Sequence, residues 1–379
     1  MASNSSAERR SQPKLRRRKK PRQQQIQQID RSVSLSIQLV RLIICGLGAS
    51  TIAGTAISII NPPKHQFATK VEQPFLQPQP QPLPIDLLAP TTPSPKLDHR
   101  LQVLNQKNSK LDASYLFIDI ERGESSEWEA DRVLPAASTI KLPILIALFE
   151  DIDAQKVSLE EKLTIDKKSI AGGSGDLQAQ KPGTQVSILD AATKMIAISD
   201  HTATNLLITR LGGRLALNQR FRNWGLKVTA INRPLPDLEG TNVTTASELA
   251  RSIMAIDRGK IVSDTSRSQM LSMMSNSTRN TMLSQGLGTG AKIAHKTGDI
   301  GGLIADVGSI ELPTGKKYIA AVLVKRPDND PSGAELVRKM SEAAYEYFQT
   351  SSPQPISSSS PQPQPPSGFP PTVLLSQNN

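Results

Sequence analysis

The pattern of apolar and polar positions predicts the order of helices and strands in the central part of the chain. A helix is expected over 97–110, followed by a hairpin whose strands, 114–122 and 127–134, flank Gly123. Helical spacing then dominates from 138 to 283. Strand-like alternation returns near the end, and the elements expected there are strands at 291–299, 303–312 and 317–325, a turn at 313–315 and a helix at 332–348.

Strands at both ends of this region, with helices inserted between them, predict an α/β (α+β) fold with two lobes in one folded unit, 97–350. One lobe, formed by 97–136 and 285–350, is expected to be a mainly antiparallel sheet covered by the terminal helices. The other lobe, 137–284, is expected to be helical. Because ligand sites commonly lie in clefts, we expect the functional residues between the two lobes.

The composition changes outside the folded unit. Residues 62–96 are rich in proline and glutamine and 351–379 in proline and serine, which predicts an extended linker and a disordered tail. The net charge is +11, and the segment 1–41 holds eleven Lys and Arg residues against only Glu8 and Asp30. Most of the basicity therefore belongs to the N-terminal tail.

An uncharged stretch, 42–61, follows the basic tail directly and is long enough to cross a bilayer as a helix. Because Lys and Arg residues mark the cytoplasmic side of such a segment, we expect a single-pass anchor in the cytoplasmic membrane, with the folded unit in the periplasm. A signal peptide cleaved near Thr55 and Ala56 is the competing interpretation. The anchor also explains the basic run without a nucleic-acid partner.

Cysteine and histidine usage excludes several kinds of site. The only cysteine, Cys45, lies in the apolar stretch, so the folded unit has neither a disulfide nor a catalytic thiol. The histidines are scattered without the spacing of a metal site, at His65, His99, His201 and His295. We therefore expect no metal and no cofactor.

Ser138 and Lys141 lie three residues apart at the start of an apolar run that extends to Phe149. On a helix the two side chains share one face of the first turn. A serine hydroxyl needs a base to become a nucleophile, and a buried lysine can serve because burial lowers its pKa. The pair alone is weak evidence, since a helix start with a snorkelling lysine has the same sequence.

Two later segments strengthen this interpretation. Ser199 lies where a helical pattern breaks and restarts, so its hydroxyl could relay a proton to a leaving group. Lys296 and Thr297 follow on a predicted strand, and Gly298 would let a substrate backbone lie against the strand edge. Each segment is common by chance, but their joint occurrence in this order is a strong signal.

Together these segments resemble the Ser-x-x-Lys, Ser-Asp-Asn and Lys-Thr-Gly elements of class A serine β-lactamases and related penicillin-binding proteins, which include serine D-Ala-D-Ala peptidases. The resemblance covers the whole folded unit and implies a β-lactamase/transpeptidase-like fold and an acyl-enzyme mechanism. It implies that Ser138 is the acylated nucleophile, that Lys141 is its base partner, and that Ser199 is the proton shuttle.

The same resemblance implies a substrate-binding strand. Lys296 and Thr297 would hold a substrate carboxylate, beside Gly298. The backbone N–H groups of Ser138 and Asp299 would form the oxyanion hole.

Four positions depart from the family pattern. His201 stands where the family usually has asparagine, which normally bonds the substrate and the nearby lysine. Leu235 stands at the usual position of the glutamate that activates the deacylating water. The loop around it is shortened, and Asn242 replaces an aspartate that normally pairs with the loop arginine, Arg233. Ala305 occupies a strand position where many β-lactamases have an arginine.

Two carboxylates near Leu235 are candidates for a substitute base. Glu239 lies four residues further along and is the first candidate for a deacylation base, with Asp237 behind it. The alternative for both is a solvated loop carboxylate, which we favour for Asp237.

The missing glutamate decides the predicted function. A positioned general base contributes roughly 10² to 10⁴ in rate, so its loss from deacylation alone leaves a long-lived acyl-enzyme. We therefore predict a monomeric, penicillin-binding D-Ala-D-Ala carboxypeptidase that acts on peptidoglycan stem peptides and binds β-lactams covalently. A class A-type β-lactamase that hydrolyses β-lactam antibiotics, and a catalytically dead, membrane-tethered peptidoglycan binder, are the alternatives.

Overall fold

One six-stranded sheet forms the centre of the computed structural model, which describes residues 91–350. In chain order the strands are β1 Thr92–Pro93, β2 Asp112–Asp119, β3 Glu124–Trp128, β4 Leu134–Pro135, β5 Lys162–Thr164, β6 Gln185–Ser187, β7 Val243–Thr244, β8 Lys292–Ile300, β9 Leu303–Glu311 and β10 Lys317–Lys325. The large sheet has the order β1-β3-β2-β10-β9-β8. Its pairs are antiparallel except for β1 with β3.

Helices cover both faces of this sheet. In chain order they are α1 Pro95–Gln106, α2 Lys141–Asp153, α3 Ile188–Ala197, α4 His201–Arg210, α5 Gly213–Asn223, α6 Ala246–Asp257, α7 Asp264–Ser275 and α8 Ser332–Thr350. Successive side chains of a strand point to opposite faces, so Tyr115 and Phe117 pack beneath the terminal helices while Leu116 and Ile118 join the core of the helical lobe. The predicted α/β fold with two lobes is confirmed.

The helical lobe is built around α2. Every residue from Lys141 to Phe149 is buried, as the unbroken apolar run predicts. The helix begins three residues later than the sequence predicts, because Ala137–Ile140 forms a 3₁₀ turn. Ser138 therefore lies on a short turn that leads directly into the most deeply buried helix of the lobe.

The predicted hairpin is correct in kind but wrong in its second strand. Strand β3 covers Glu124–Trp128, whereas the sequence predicted 127–134. The carboxylate of Asp119 accepts hydrogen bonds from the backbone N–H groups of Glu121 and Arg122, so the chain reverses immediately after β2. Gly123, with φ of +67°, completes this turn and lets the return strand begin at the next residue.

Two short strand pairs outside the large sheet were not predicted. The pair of β4 and β7 matters for the site, because it joins Leu134 to Thr244 and Pro135 to Val243. It connects the backbone just before Ser138 to the end of the loop that carries Leu235. Runs of two residues are too short to give a detectable alternation in the sequence.

No helix within residues 91–350 is long and apolar enough to cross a membrane. The predicted anchor, 42–61, the basic tail, most of the linker and the tail 351–379 lie outside the described residues.

Candidate active site

Ser138 occupies a constrained position at the start of the helical lobe. The preceding residue, Ala137, has φ of +46°, a conformation that costs free energy in a residue with a Cβ atom and that often occurs at functional sites. Ser138 is only partly buried, while Ala137 and Thr139 beside it are buried. The fold thus leaves the Ser138 hydroxyl accessible on an otherwise buried turn.

Lys141 joins the two serines of the site. Its Nζ lies 3.0 Å from Ser138 Oγ, 2.7 Å from Ser199 Oγ and 2.7 Å from the carbonyl oxygen of Ser199. A neutral amine has two N–H donors and one lone pair. This arrangement therefore lets Lys141 donate to Ser199 and accept the proton of Ser138.

The surroundings of Lys141 favour that neutral form. Complete burial lowers the pKa of Lys141 well below its ordinary value, and the positive charges of Lys296 and Arg279 lower it further. The carboxylate of Asp200 opposes this shift. Burial is the largest effect, so Lys141 is suited to act as a base toward Ser138.

Ser199 is placed by the break between α3 and α4, as predicted. Its φ is +60°, and Asp200 caps α4 by accepting a hydrogen bond of 2.8 Å from the N–H of Ala203. The same carboxylate accepts a hydrogen bond of 2.8 Å from the N–H of Leu177. A Cβ at Gly175 would lie 2.1 Å from this carboxylate, so the glycine is required for the loop to approach.

Strand β8 supplies the other wall of the site. A Cβ built on Gly298 would lie 3.2 Å from the backbone nitrogen of Ser138, so the glycine permits close contact between the strand and the nucleophile turn. Thr297 is buried, and the carboxylate of the exposed Asp299 forms an ion pair with Arg326. The oxyanion-hole role of the Ser138 and Asp299 N–H groups stays a prediction.

Lys296 is a buried lysine on this strand. Its Nζ donates a hydrogen bond of 2.8 Å to the carbonyl oxygen of Thr297. Burial lowers the pKa of Lys296 to about 7, with a further contribution from Arg279, while the buried carboxylate of Asp306 acts in the opposite direction. A substrate carboxylate would stabilise the charged form of Lys296, as the predicted role requires.

His201 is buried at the first position of α4. Its Nδ1 lies 2.8 Å from the carbonyl oxygen of Gly172. Burial, followed by the charge of Lys141, lowers the pKa of His201 to about 4, so the ring is neutral at neutral pH.

Leu235 is buried, and its backbone is held by a residue that the sequence analysis missed. The side-chain amide of Asn205 donates a hydrogen bond of 2.8 Å to the carbonyl oxygen of Leu235 and accepts one of 3.0 Å from the N–H of Leu235. His201 and Asn205 are four residues apart on α4, and this spacing on one helix face is the signal that could have identified Asn205.

Asp237 is not the solvated loop carboxylate that the sequence predicted. Its side chain is 1% exposed. It accepts hydrogen bonds from the N–H and the hydroxyl of Thr241, at 3.1 and 2.9 Å, and from the N–H of Asn242 at 2.6 Å. The prediction was wrong because the short loop leaves its own backbone donors buried, and Asp237 satisfies them.

Glu239, the candidate deacylation base, has a different environment. Its side chain is 70% exposed and forms an ion pair with Arg233. An exposed carboxylate held by a guanidinium is a poor general base, because its charge is already stabilised. The position of Glu239 therefore weighs against this role.

Asn242, which replaces an aspartate of the family pattern, holds the loop through its backbone. It is fully buried, and its Oδ1 accepts from the N–H groups of Asn232 and Arg233 at 2.7 and 3.0 Å. The amide thus holds the backbone of the loop arginine, where the family pattern has a carboxylate pairing with the side chain.

Arg279 is a second residue that sequence reasoning missed. Its positive charge lowers the pKa of both Lys141 and Lys296, although Arg279 itself is exposed. It lies in the segment between α7 and β8, which carries none of the three recognised elements. Only the three-dimensional structure identifies it as a further positive charge at the cleft, in a site where Ala305 offers none.

His295, next to Lys296, is a buried strand residue. Its Nδ1 lies 2.8 Å from Asp306 Oδ1, and the other oxygen of Asp306 accepts 3.0 Å from the N–H of Leu283. Within residues 91–350, no group of three or more His, Cys, Asp or Glu side chains is arranged to hold a metal ion.

Comparisons with known proteins agree with this geometry. Residues 96–348 match the family described as the beta-lactamase enzyme family. Beta-lactamase AER-1 of Aeromonas hydrophila is 27% identical over 207 residues, which are 52% of this chain and 68% of that protein. The structure of PBP-A is 46% identical with a TM-score of 0.68, covering 69% of this chain and 99% of that one.

The structure of a leucine-to-glutamate mutant of PBP-A is equally similar to this chain, with 46% identity and a TM-score of 0.68 over 69% of this chain and 99% of that one. Its structure is an acyl-enzyme complex with penicillin G.

Proposed function

This chain belongs to the β-lactamase enzyme family and is a serine acyl-hydrolase, and from this premise we propose that it is a penicillin-binding D-Ala-D-Ala carboxypeptidase that forms a long-lived acyl-enzyme with β-lactams. One observation carries the proposal: a buried leucine, Leu235, stands where class A enzymes have their deacylation glutamate. The residues proposed for acylation, Ser138, Lys141 and Ser199, lie within hydrogen-bond distance of one another through Lys141 Nζ. Release of a penicillin needs an activated water beside an ester whose leaving nitrogen stays attached, and leucine cannot activate one. A peptide ester loses its terminal D-alanine, which leaves room for water to reach the carbonyl.

The nearby carboxylates support the choice of peptidase over β-lactamase. Asp237 is committed to the backbone of its own loop, and Glu239 is committed to Arg233. Hydrolysis of a β-lactam ester at Ser138 would therefore proceed without a positioned base. The natural substrate in this proposal is the stem peptide of peptidoglycan, whose terminal carboxylate would be held by Lys296.

Covalent labelling of the full-length protein with a fluorescent penicillin tests this function. We expect a labelled band that survives denaturation, because an ester joins the penicillin to Ser138. Ser138→Ala should abolish the band, since alanine removes only the hydroxyl and retains helix propensity. The exposed Ser158→Ala is the matched control and should label normally. Label on Ser138→Ala would place the nucleophile elsewhere, and an unlabelled wild-type protein would favour a binder without catalysis.

We further propose that the catalytic unit, 97–350, is a monomer held in the periplasm by a single-pass anchor at 42–61, with 62–96 as the linker. The basic segment 1–41 supports this orientation, because Lys and Arg favour the cytoplasmic side. Protease added to intact spheroplasts should release a soluble fragment that begins in the linker and still labels with penicillin. A catalytic unit protected from the protease would contradict the orientation.

A further inference from the structure

The end of strand β8 that lies beside Ser138 receives little support from strand pairing. β8 is the edge strand of the large sheet, so among the described strands only β9 pairs with it. The last pair joins Ile300 to Leu303, and the two residues of the turn between them are Gly301 and Gly302. Glycine loses more conformational freedom on folding than any other residue, so this turn gives the strand end little rigidity of its own.

Arg326, directly after β10, binds this strand end from the side. Its side chain is only 5% exposed, and it forms an ion pair with the carboxylate of Asp299. Nε donates a hydrogen bond of 3.2 Å to the carbonyl oxygen of Gly301, and Nη2 donates a longer one of 3.4 Å to that of Ile300. One planar, rigid group therefore binds three consecutive residues at the end of β8.

The segment between β10 and α8 fixes Arg326 in turn. Nη1 donates a hydrogen bond of 3.3 Å to the carbonyl oxygen of Asp330, and the backbone N–H of Arg326 donates one of 2.9 Å to the carbonyl oxygen of Gly302. A Cβ built on Gly333, in the first turn of α8, would lie 3.1 Å from Cδ of Arg326, so the helix packs closely against the side-chain stem. The guanidinium is thus a fixed support and not a surface group that happens to reach β8.

The support acts on the reaction through the backbone of β8. Gly298 lies against the nucleophile turn, with its built Cβ 3.2 Å from the backbone nitrogen of Ser138, and Asp299 is the next residue. We propose that Arg326 is a positioning residue that holds the Asp299 N–H, a predicted oxyanion donor, in place for acylation. Such donors must lie about 3 Å from the oxyanion, so a strand end that shifts weakens the bond. The inference rests on the proposed function, since it concerns the ester formed at Ser138.

Arg326→Met tests the proposal in the full-length protein, because methionine keeps an unbranched stem and removes every donor of the guanidinium. The second-order rate of acylation by penicillin G should fall roughly ten- to a hundredfold, less than the roughly 10²- to 10³-fold loss when an oxyanion donor is removed outright. In the infrared spectrum of the acyl-enzyme, the carbonyl band of the penicilloyl ester should move to higher wavenumber, because weaker hydrogen bonding stiffens the C=O bond.

Arg220→Met is the matched control for a loss of stability alone. This guanidinium binds Glu150, Asp151 and the carbonyl oxygen of Ala147, toward the far end of α2 from Ser138. Its removal should lower stability in chemical denaturation and leave the ester band in place. In Arg326→Met, a band that stays in place or an acylation rate that does not fall would overturn the proposal.

Arg326→Lys is the milder variant if Arg326→Met does not fold, because lysine keeps a positive charge beside Asp299 but lacks the planar fork. Hydrogen exchange followed by mass spectrometry should show faster exchange in 297–303 than in the wild type, and no change there in Arg220→Met. Exchange equal to the wild type in Arg326→Lys would contradict the inference. If penicillin G does not acylate the wild type, the proposed function fails, whereas hydrogen exchange still judges the support that Arg326 gives to β8.

Discussion

The acylation residues and the loop 228–242 have opposite chemical character. On the acylation side, Lys141 connects Ser138 and Ser199 through contacts of 2.7 to 3.0 Å between potentially reactive atoms. On the loop side, 228–242, Asp237 and Asn242 accept hydrogen bonds from the loop's own backbone, and Leu235 is the residue that we align with the deacylation glutamate. In the proposed function, this difference leaves acylation with a base and deacylation without one.

The loop side is nevertheless well ordered by its contacts. Asn205 forms hydrogen bonds with both the N–H and the carbonyl oxygen of Leu235. Further along the loop, the carboxylate of Asp237 accepts a hydrogen bond from the N–H of Asn242. The missing chemistry is therefore a matter of one side chain and not of a loop that fails to form. A single substitution at Leu235 should therefore add deacylation without removing acylation.

The largest expected effect is the loss of acylation when Lys141 is replaced. Lys141→Ala removes the base beside Ser138, so the second-order rate of acylation by penicillin should fall roughly 10² to 10⁴-fold, which corresponds to about 3 to 5 kcal/mol of barrier. Stopped-flow acylation measures it. The exposed Lys162→Ala should acylate normally, and a similar loss in that control would show that the effect is not specific to the site.

The next effect adds the missing base to the loop side. Leu235→Glu places a carboxylate on the backbone that Asn205 holds, so release of penicillin from Ser138 should accelerate, by less than the roughly 10² to 10⁴ available to an evolved base. Acylation should change little. Hydrolysis of the purified acyl-enzyme, followed by mass spectrometry, gives the rate.

Two controls sharpen this test. Leu235→Gln has the size of the glutamate without its charge and should not accelerate release. Glu239→Gln should leave release unchanged, because Glu239 is exposed and paired with Arg233. If Glu239→Gln slows release instead, Glu239 is a working base and the chain is a β-lactamase.

A smaller effect concerns the pH dependence of carboxylate binding. The pKa of Lys296 is lowered to about 7 by burial, so this lysine is charged below that pH and loses its charge as the pH rises. Non-covalent affinity for penicillin, measured by calorimetry in the Ser138→Ala variant, should therefore weaken with rising pH, by at most about tenfold per pH unit. Combining that variant with Lys296→Arg should flatten the profile, because a guanidinium stays charged. Affinity independent of pH in the parent variant would show that Lys296 does not bind the carboxylate.

The smallest expected effect on catalysis comes from a substitution that lowers stability. Asn205→Ala leaves the buried N–H and carbonyl of Leu235 without partners, at a cost of about 1 to 3 kcal/mol per unsatisfied group. Chemical denaturation should show this loss of stability, while acylation by penicillin should fall much less than in Lys141→Ala. An equal loss of acylation would mean that Asn205 supports the nucleophile as well as the loop.

The sequence predicted the acylation side better than the loop side for a physical reason. Ser138, Lys141 and Lys296 were identified by residue type and local spacing, which are visible in the sequence. The contribution of Asn205 depends on a contact with Leu235 thirty residues away, and that of Arg279 on its charge coming near Lys141, 138 residues away along the chain. The solvated state expected of Asp237 was wrong because burial of a carboxylate depends on donors that only the folded loop supplies.

The fold, too, was predicted best where the signal is local in the sequence. The long strands β8, β9 and β10 and the closing helix have clear periodicity and were predicted within a few residues. The two-residue pair of β4 and β7 has no period to detect, although it joins the nucleophile turn to the loop.

Pre-steady-state kinetics with one penicillin on the full-length protein tests the central claim most directly, because it separates formation of the Ser138 ester from its release. The account predicts a burst of about one acylation per protein, followed by release too slow to sustain turnover. Rapid steady-state hydrolysis without a burst would contradict it, since release would then be no slower than acylation and the loop around Leu235 would have to supply a base.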